Sequence, residues 1–410
     1  MPCSPGGVAQ KLTVRLYGKG VVPKVNDRGG SAATRYYKRR QGQLIFSKLD
    51  FLNGAFGLVP PELDGYESTL DLPCFDIAPE VDPYWLLSVL IRPVFYRRYR
   101  GMAIGSRKAQ RVPVEEFLAS VVTTPPTDEQ QRIARSLAAV DAAIDGTTRF
   151  VAELRRSKYW LMRTLLTEGH SSYKTKLVPL PESWPIGRIA STVDRMPSHW
   201  KLVTLTKLAK LESGHTPSRQ HPEYWNGTIH WLSLGDTAEL KKLRVEKTSE
   251  CVTQAGIDNS SARLLPADTV VLSRTAVRGL CSRLAKPMAT SQDFVAFVCG
   301  PDVLPAYLVQ LFRHMQREWR RLEQGSSPTN KTLYFSAFKV LKILLPPSEE
   351  QSVIAEIGES FDERIGIEIR YLEQLRHAKR GLAQALLSGR VRVGASTANG
   401  ARAAGTVRRR

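Results

Sequence analysis

The side chains able to do chemistry in this chain are mostly hydrogen-bond donors, set among aromatic rings and small-residue turns. In the N-terminal part Arg15, Tyr17 and Lys19 lie on or just after a β-rich run, Lys48 follows Leu44-Ile45-Phe46-Ser47, and Asn53 precedes Gly54. Arg107, Lys108 and Arg111 occupy a turn opened by Gly105-Ser106. Further on, Thr216, Ser218 and Arg219 form a loop that closes at Trp225. Ser273, Arg274 and Arg278 straddle a strand, and Ser326, Asn330 and Lys331 sit in a second small-residue turn. Guanidinium and ammonium groups contact phosphates or guanine edges, and side-chain amides pair with adenine. Any one of these residues could equally be a solvated surface side chain. As sets recurring at equivalent places they point to contact with a polyanion.

No catalytic constellation accompanies them. The glycine-rich stretches lack the G-x-G-x-x-G and P-loop patterns, so no nucleotide cradle is predicted. Asp82-Pro83-Tyr84-Trp85 only superficially matches the Asn/Asp-Pro-Pro-aromatic motif of amino-methyltransferases, since the second proline is absent. His215, His221 and His230 cluster around Trp225 and Trp231, but their spacing fits no common zinc pattern and no cysteine lies close by.

The charge balance supports a polyanionic partner. Fifty-nine Lys and Arg against 39 Asp and Glu leave a formal net charge of +20 over 410 residues. For a chain with an ordinary hydrophobic fraction of 42%, nucleic acid is the first partner to consider. Cys3, Cys74, Cys251, Cys281 and Cys299 show no paired spacing and read as reduced thiols. No signal peptide or apolar run of membrane-spanning length is evident, which predicts a cytoplasmic protein without a membrane partner.

The elements that position these residues are announced by a repeat. Pro125-Pro126-Thr127-Asp128-Glu129-Gln130 through Leu165-Leu166-Thr167-Glu168-Gly169 recurs as Pro346-Pro347-Ser348-Glu349-Glu350-Gln351 through Leu386-Leu387-Ser388-Gly389, at a constant offset of 221 residues. Paired prolines followed by acids start a helix well. Apolar residues then alternate at spacings of 4 and 3, the seam of a coiled coil. One copy presents Ile133, Leu137, Ile144, Leu154 and Leu161; the other presents Ile354, Phe361, Ile365, Leu372, Leu375 and Leu382. Thr147 and Lys158 interrupt the first seam where Glu368 and Lys379 interrupt the second. Matching polar interruptions specify register, so the two helices are expected to pair antiparallel, with Glu129, Gln130, Glu350 and Gln351 at their starts.

The chain therefore divides into an α/β (α+β) arrangement of two globular domains separated by two long antiparallel helices forming a coiled coil. The expected boundaries are a first domain at 1–124, a first helix at 125–169, a linker at 170–196, a second domain at 197–345, a second helix at 346–389 and a disordered basic tail at 390–410. Strands are expected at 43–47 and 56–59, turns at Gly29-Gly30 and Asn53-Gly54, and a single helix from Tyr84 to Arg100.

With these features together, the chain resembles the specificity (S) subunit of type I restriction–modification systems. The resemblance rests on the twin Pro-Pro-x-x-Glu-Gln-x-x-Ile-Ala helices, on Ser183-Trp184 and Ser198-His199-Trp200 leading toward Gly214-His215-Thr216-Pro217, and on Leu272-Ser273-Arg274. It implies two target-recognition domains that each read half of a split double-stranded DNA sequence. It also implies paired helices that space the half-sites and dock two methyltransferase subunits, which restriction subunits then join. The chain itself would be non-catalytic and bind no cofactor, with S-adenosylmethionine, ATP and magnesium handled by the partner subunits. One departure stands out. The second domain has a leading segment from about Pro197 through Gly235, whereas the first begins almost directly at Leu12-Thr13-Val14-Arg15. That shortening keeps open an alternative, a stand-alone or degenerate DNA-binding protein that does not support modification.

Overall fold

The computed structural model describes residues 10–25, 34–105, 110–173, 175–190, 192–275, 277–323 and 332–392. It falls into two compact units, residues 1–147 with 371–410, and residues 148–370. The mixed α/β class expected from the sequence is the one observed.

The repeated segments are two long helices, Thr127–Glu168 and Ser348–Leu387. Each starts directly after its proline pair, where the missing prolyl N–H costs nothing. Both helices contribute to both units. In the first unit, Ile133, Ala134 and Leu137 share a buried cluster with Leu386 and Trp85, and Lys379 Nζ reaches Asp141 at 2.5 Å. In the second unit, Met162, Leu165 and Leu166 pack with Ile354 and Ala355, and Lys158 Nζ reaches Asp362 at 2.6 Å. In each unit, therefore, later residues of one helix meet earlier residues of the other, an antiparallel contact. Asp141 and Asp362 occupy the same repeat position, as do Lys158 and Lys379, so the two ion pairs are one interaction made twice. Two of the four polar interruptions of the seam are these lysines. Leu161 departs from the expected seam: it is 39% exposed, and Met162 takes the buried place beneath the second unit's core.

The first unit builds a three-stranded antiparallel sheet from Phe56–Leu58, Leu44–Phe46 and Cys74–Phe75, with a hairpin of Leu12–Val14 and Val21–Pro23 beside it. Its core is aromatic: Phe46, Phe51, Phe56, Phe95, Tyr99 and Phe117 pack against one another. The expected helix from Tyr84 to Arg100 is broken. Asp82 caps Pro83–Leu90, then Pro93 interrupts, and Pro93–Tyr96 and Arg97–Gly101 follow as separate turns. Proline offers no N–H to continue the ladder and forces Arg92 before it into an extended conformation. Gly29-Gly30 lies outside the described residues.

The second unit is larger. A five-stranded sheet runs in the order Ala209–Ser213, Phe294–Cys299, Val270–Ser273, Cys281–Leu284, Arg244–Val245. The helix Pro305–His314 covers it with six consecutive buried residues. A second sheet pairs Trp225–Leu232 with Glu250–Val252 and Ala289–Thr290. Residues 170–196, expected to be a linker, are part of this unit. Leu177–Pro179 pairs with Arg195–Pro197, Lys201–Thr204 pairs with Lys342–Leu345, and Trp184, Ile189, Val193 and Met196 are buried in the core. Pro179 is itself part of the first of these strands, and Pro181 and Pro185 lie in the segment that connects it to the next. Among the described residues no helix is long and apolar enough to cross a membrane, and Cys74, Cys251, Cys281 and Cys299 are free.

Candidate nucleic-acid interface

The two halves repeat down to individual hydrogen bonds, and this repetition positions the predicted contact residues. At each long helix's start a buried glutamine does the same work. Gln130 Oε1 accepts from Asp82 N at 2.9 Å while its amide donates to Pro125 O; Gln351 Oε1 accepts from Leu304 N at 2.8 Å while its amide donates to Pro346 O. Both glutamines thus tie the helix to the residue that precedes the sheet-covering helix of their own unit. The preceding glutamates differ. Glu350 is fully buried, accepting from His170 N, His199 Nε2 and Trp200 Nε1 at 2.8–2.9 Å. Glu129, its counterpart, is half-exposed and has no such partners among the described residues.

Each sheet ends in a loop cluster built on one plan. Ser47 N donates to Ala55 O at 3.0 Å, as Ser273 N donates to Leu280 O at 2.9 Å. The cation that follows, Lys48 or Arg274, donates its N–H to the carbonyl of Asp71 or Asp293 at 2.9 Å, and accepts from Val112 N or Leu333 N. Both connecting turns pass through a glycine at positive φ, Gly54 at 66° and Gly279 at 79°. A side chain there would also collide with an aromatic ring, since the added Cβ would lie 2.7 Å from Tyr96 or from Trp319. Glycine is needed at both places for conformation and for space.

In the second unit this plan gathers the separate sequence motifs. His215 N donates to Thr290 O at 2.9 Å, and Thr216 Oγ1 lies 2.6 Å from Gln292. Thr275 Oγ1 donates to Asp293 at 2.6 Å, and Thr332 Oγ1 donates to Arg274 O. Segments 214–219, 273–280, 290–293 and 332–334 therefore share one face. In the first unit the hairpin turn docks on the 50–54 turn through Tyr17 N to Asn53 O and Gly18 N to Gly54 O. Exposure alternates along that turn, so Arg15, Tyr17 and Lys19 project outward together while Leu16 and Gly18 are half-buried. Asn53 is exposed beside them, and Lys48 is half-buried.

Several of the predicted contacts have other work. Trp225 is buried, packed edge-on to Trp231 at 5.0 Å, with its indole N–H donated to Ser218 O. Ser273 is fully buried, its hydroxyl closing the turn on Val277 O and accepting from Leu280 N. These two are internal groups, because one lies at the end of a strand whose every residue is buried and the other beneath an arginine lid. That lid is Arg219, whose guanidinium stacks 3.5 Å from the Trp225 ring centre and grips Glu250 at 2.6 and 2.9 Å. The carboxylate raises the Arg219 pKa and stays ionised itself below the usual glutamate range. Arg278 reaches Glu323 at 2.8 Å, Arg274 holds Leu333 O at 3.2 Å, and Arg111 is bidentate to Asp71 at 3.1 and 3.2 Å. These cations shape the loops as well as presenting charge. Thr216 remains half-buried and Ser218 exposed. Arg107, Lys108, Ser326, Asn330 and Lys331 lie outside the described residues. The histidines act separately: His221 meets Glu223, His230 meets Thr248, and His215 is exposed. No cluster among the described residues has the ligands to hold a metal ion.

Each α/β unit thus ends in a donor-lined loop cluster and is joined to a copy of the repeated helix. Residues 197–377 match the type I restriction modification DNA specificity domain. The chain is 26% identical over 173 residues to the type I restriction enzyme MjaIX specificity subunit of Methanocaldococcus jannaschii, a match covering 42% of this chain and 40% of that protein. It is 21% identical over 320 residues to the putative MjaX specificity subunit of the same organism, covering 77% and 69%. Its fold matches the crystal structure of a type I restriction-modification system S subunit from M. genitalium with a TM-score of 0.51 at 12% identity, over 94% of this chain and 99% of that one. Residues 197–377 thus match the type I restriction modification DNA specificity domain, and over most of its length the chain is similar to specificity subunits of type I restriction–modification systems.

Proposed function

We propose that the chain reads a split double-stranded DNA sequence, one half-site per unit, and carries methyltransferase and restriction subunits to it. The observation behind this reading is the duplicated loop framework, Ser47-Lys48 with Asp71 and Val112, and Ser273-Arg274 with Asp293 and Leu333. A frame kept bond for bond between halves whose surrounding sequences have diverged suits one scaffold presenting two different reading surfaces. The two long helices then pair antiparallel within each unit, through Asp141–Lys379 in the first and Lys158–Asp362 in the second, and set the half-site spacing. Partner docking on these helices is supported by Phe150 and Tyr371, exposed aromatic side chains at one repeat position, and by the exposed Trp160 and Leu161. The chain supplies no chemistry. S-adenosylmethionine, ATP and magnesium are used by the subunits it carries.

The test is to co-express this chain with the methyltransferase subunit of its own system, purify the complex and map methylated bases across the host genome. Adenine methylation at a split motif supports the proposal. Methyl transfer by the chain alone, or complex formation without any split motif, would overturn it. DNA binding with no methyltransferase captured would favour the stand-alone DNA binder.

A further inference from the structure

The second unit also has a cationic groove outside the loop cluster. It is a cavity of about 580 Å³ between the later part of the first long helix and the helices Pro305–His314 and Gln316–Leu322. Six cations and a single acid line it. The acid, Asp362, is already held by Lys158 at 2.6 Å and Arg313 at 2.8 Å. Arg155, Lys241, Arg317 and Arg320 also line it, all exposed and none of them ion-paired to an acid among the described residues. Between the walls His314 stacks on Tyr159 at 4.9 Å. Burial above all, and then the nearby Arg163, Lys158 and Arg317, push the imidazole down to about 4.

The groove is continuous with the reading loops. Gln316, in its wall, donates to Gly279 O at 2.8 Å, and Trp319 on the same helix packs beneath Gly279. Arg317 and Arg320 of that helix line the groove, so it lies about one helix diameter, ~10 Å, from the 273–280 turn. One cation from each of two walls has a counterpart in the first unit. Arg376 stands at the repeat position of Arg155, and Arg97 directly follows Tyr96, the ring beneath Gly54, as Arg320 follows Trp319. Both Arg376 and Arg97 are exposed.

We propose that this groove grips the phosphate backbone of duplex DNA beside the half-site, adding affinity without reading sequence. The inference rests on the DNA-recognition reading for its ligand and extends it to a surface that the loops do not include. A duplex seated on the 273–280 turn continues, one helix away, over a run of guanidinium groups whose charge no acid among the described residues takes up. Release of counterions from the phosphates they contact then contributes to binding of any sequence alike.

The test compares the full chain with its Arg155→Gln/Arg317→Gln/Arg320→Gln variant. Binding of fluorescent duplexes of about 30 base pairs is followed by anisotropy across a salt series, using the mapped split motif and a scrambled duplex. The expected result is a fall of about 3 in the steepness of log K against log salt on both duplexes, with their affinity ratio unchanged. The corresponding triple lysine variant, which keeps the charge, should retain the wild-type slope and shows that fold is not the cause. An unchanged slope, or a loss confined to the split motif, overturns the proposal. So does intact DNA binding with weakened capture of the methyltransferase, which makes the groove a protein dock. If the wild-type chain binds both duplexes equally, the sequence-reading proposal fails, while the slope comparison still decides the groove.

Discussion

Replacing Asp362 with asparagine should destabilise the second unit far more than replacing its ion-pair partner Lys158 with methionine. Asp362 accepts from Lys158 at 2.6 Å, Arg313 at 2.8 Å and Gln310 at 3.1 Å, with only 20% of its side chain exposed. Asparagine leaves two cations, Lys158 at 15% and Arg313 at 17% exposure, facing each other without a counter-charge. Leaving a buried charge uncompensated costs about 3–5 kcal/mol, and residual solvent contact places this case near ~3. Lys158→Met leaves the carboxylate with Arg313 and Gln310, and the methionine fills the stem's volume, so about 1 kcal/mol is expected. The charges also set a pH dependence. Burial pushes the Asp362 carboxyl up, but Lys158 and Arg313 together outweigh it and hold the pKa below the ordinary value. A carboxyl depressed on folding stabilises above its unfolded pKa of about 3.9, and that stability is lost as pH falls through the folded value. Urea unfolding followed by tryptophan fluorescence suits the measurement, because of the seven tryptophans only Trp85 lies outside the second unit. A Lys158→Met loss equal to or greater than that of Asp362→Asn, or an Asp362→Asn loss under about 1 kcal/mol, would refute the reasoning. So would an acid-unfolding profile below pH ~4 that the asparagine variant leaves unaltered.

Two further substitutions test the duplicated frame. Gln351→Ala strips hydrogen bonds from Leu304 N, Asp302 O and Pro346 O in a buried site and should cost about 2–3 kcal/mol by chemical denaturation; Gln130→Ala should cost a similar amount in the first unit, and a loss within 0.5 kcal/mol of zero for either would deny these glutamines a structural role. Gly279→Ala forces a left-handed residue and a methyl group 2.7 Å from Trp319, for an expected loss of about 1–3 kcal/mol with altered near-ultraviolet circular dichroism, whereas an unshifted melting temperature would show that the turn relaxes freely.

Much of this molecule was legible in one dimension because helix periodicity and repeats are local. The 221-residue repeat located both long helices, and the alignment of Asp141 with Asp362 and Lys158 with Lys379 already held the pairs that the structure joins crosswise. The strands at 44–46 and 56–58 and the turn at Gly54 followed from β-branched and aromatic runs bounded by a glycine. Other expectations failed where local and tertiary signals diverge. Apolar spacing from Tyr84 to Arg100 concealed the break at Pro93. The prolines of 170–196 suggested a linker, yet Trp184, Ile189 and Met196 go into the core.

The amino-acid pattern by itself determined the duplication, the two long helices, the mixed α/β class and the strong positive charge, since each is a property of neighbours along the chain. It could not say which polar groups face outward. Trp225, Arg219 and Ser273 carry good chemistry for a groove, but Arg219 is turned onto Trp225 and Glu250, and Ser273 is shut under its own turn. The groove lined by Arg155, Lys241, Arg317 and Arg320 was equally invisible, because it joins three segments distant in sequence. Burial and charge pairing are sums over all segments packed at a point, and only the tertiary structure brings those segments together.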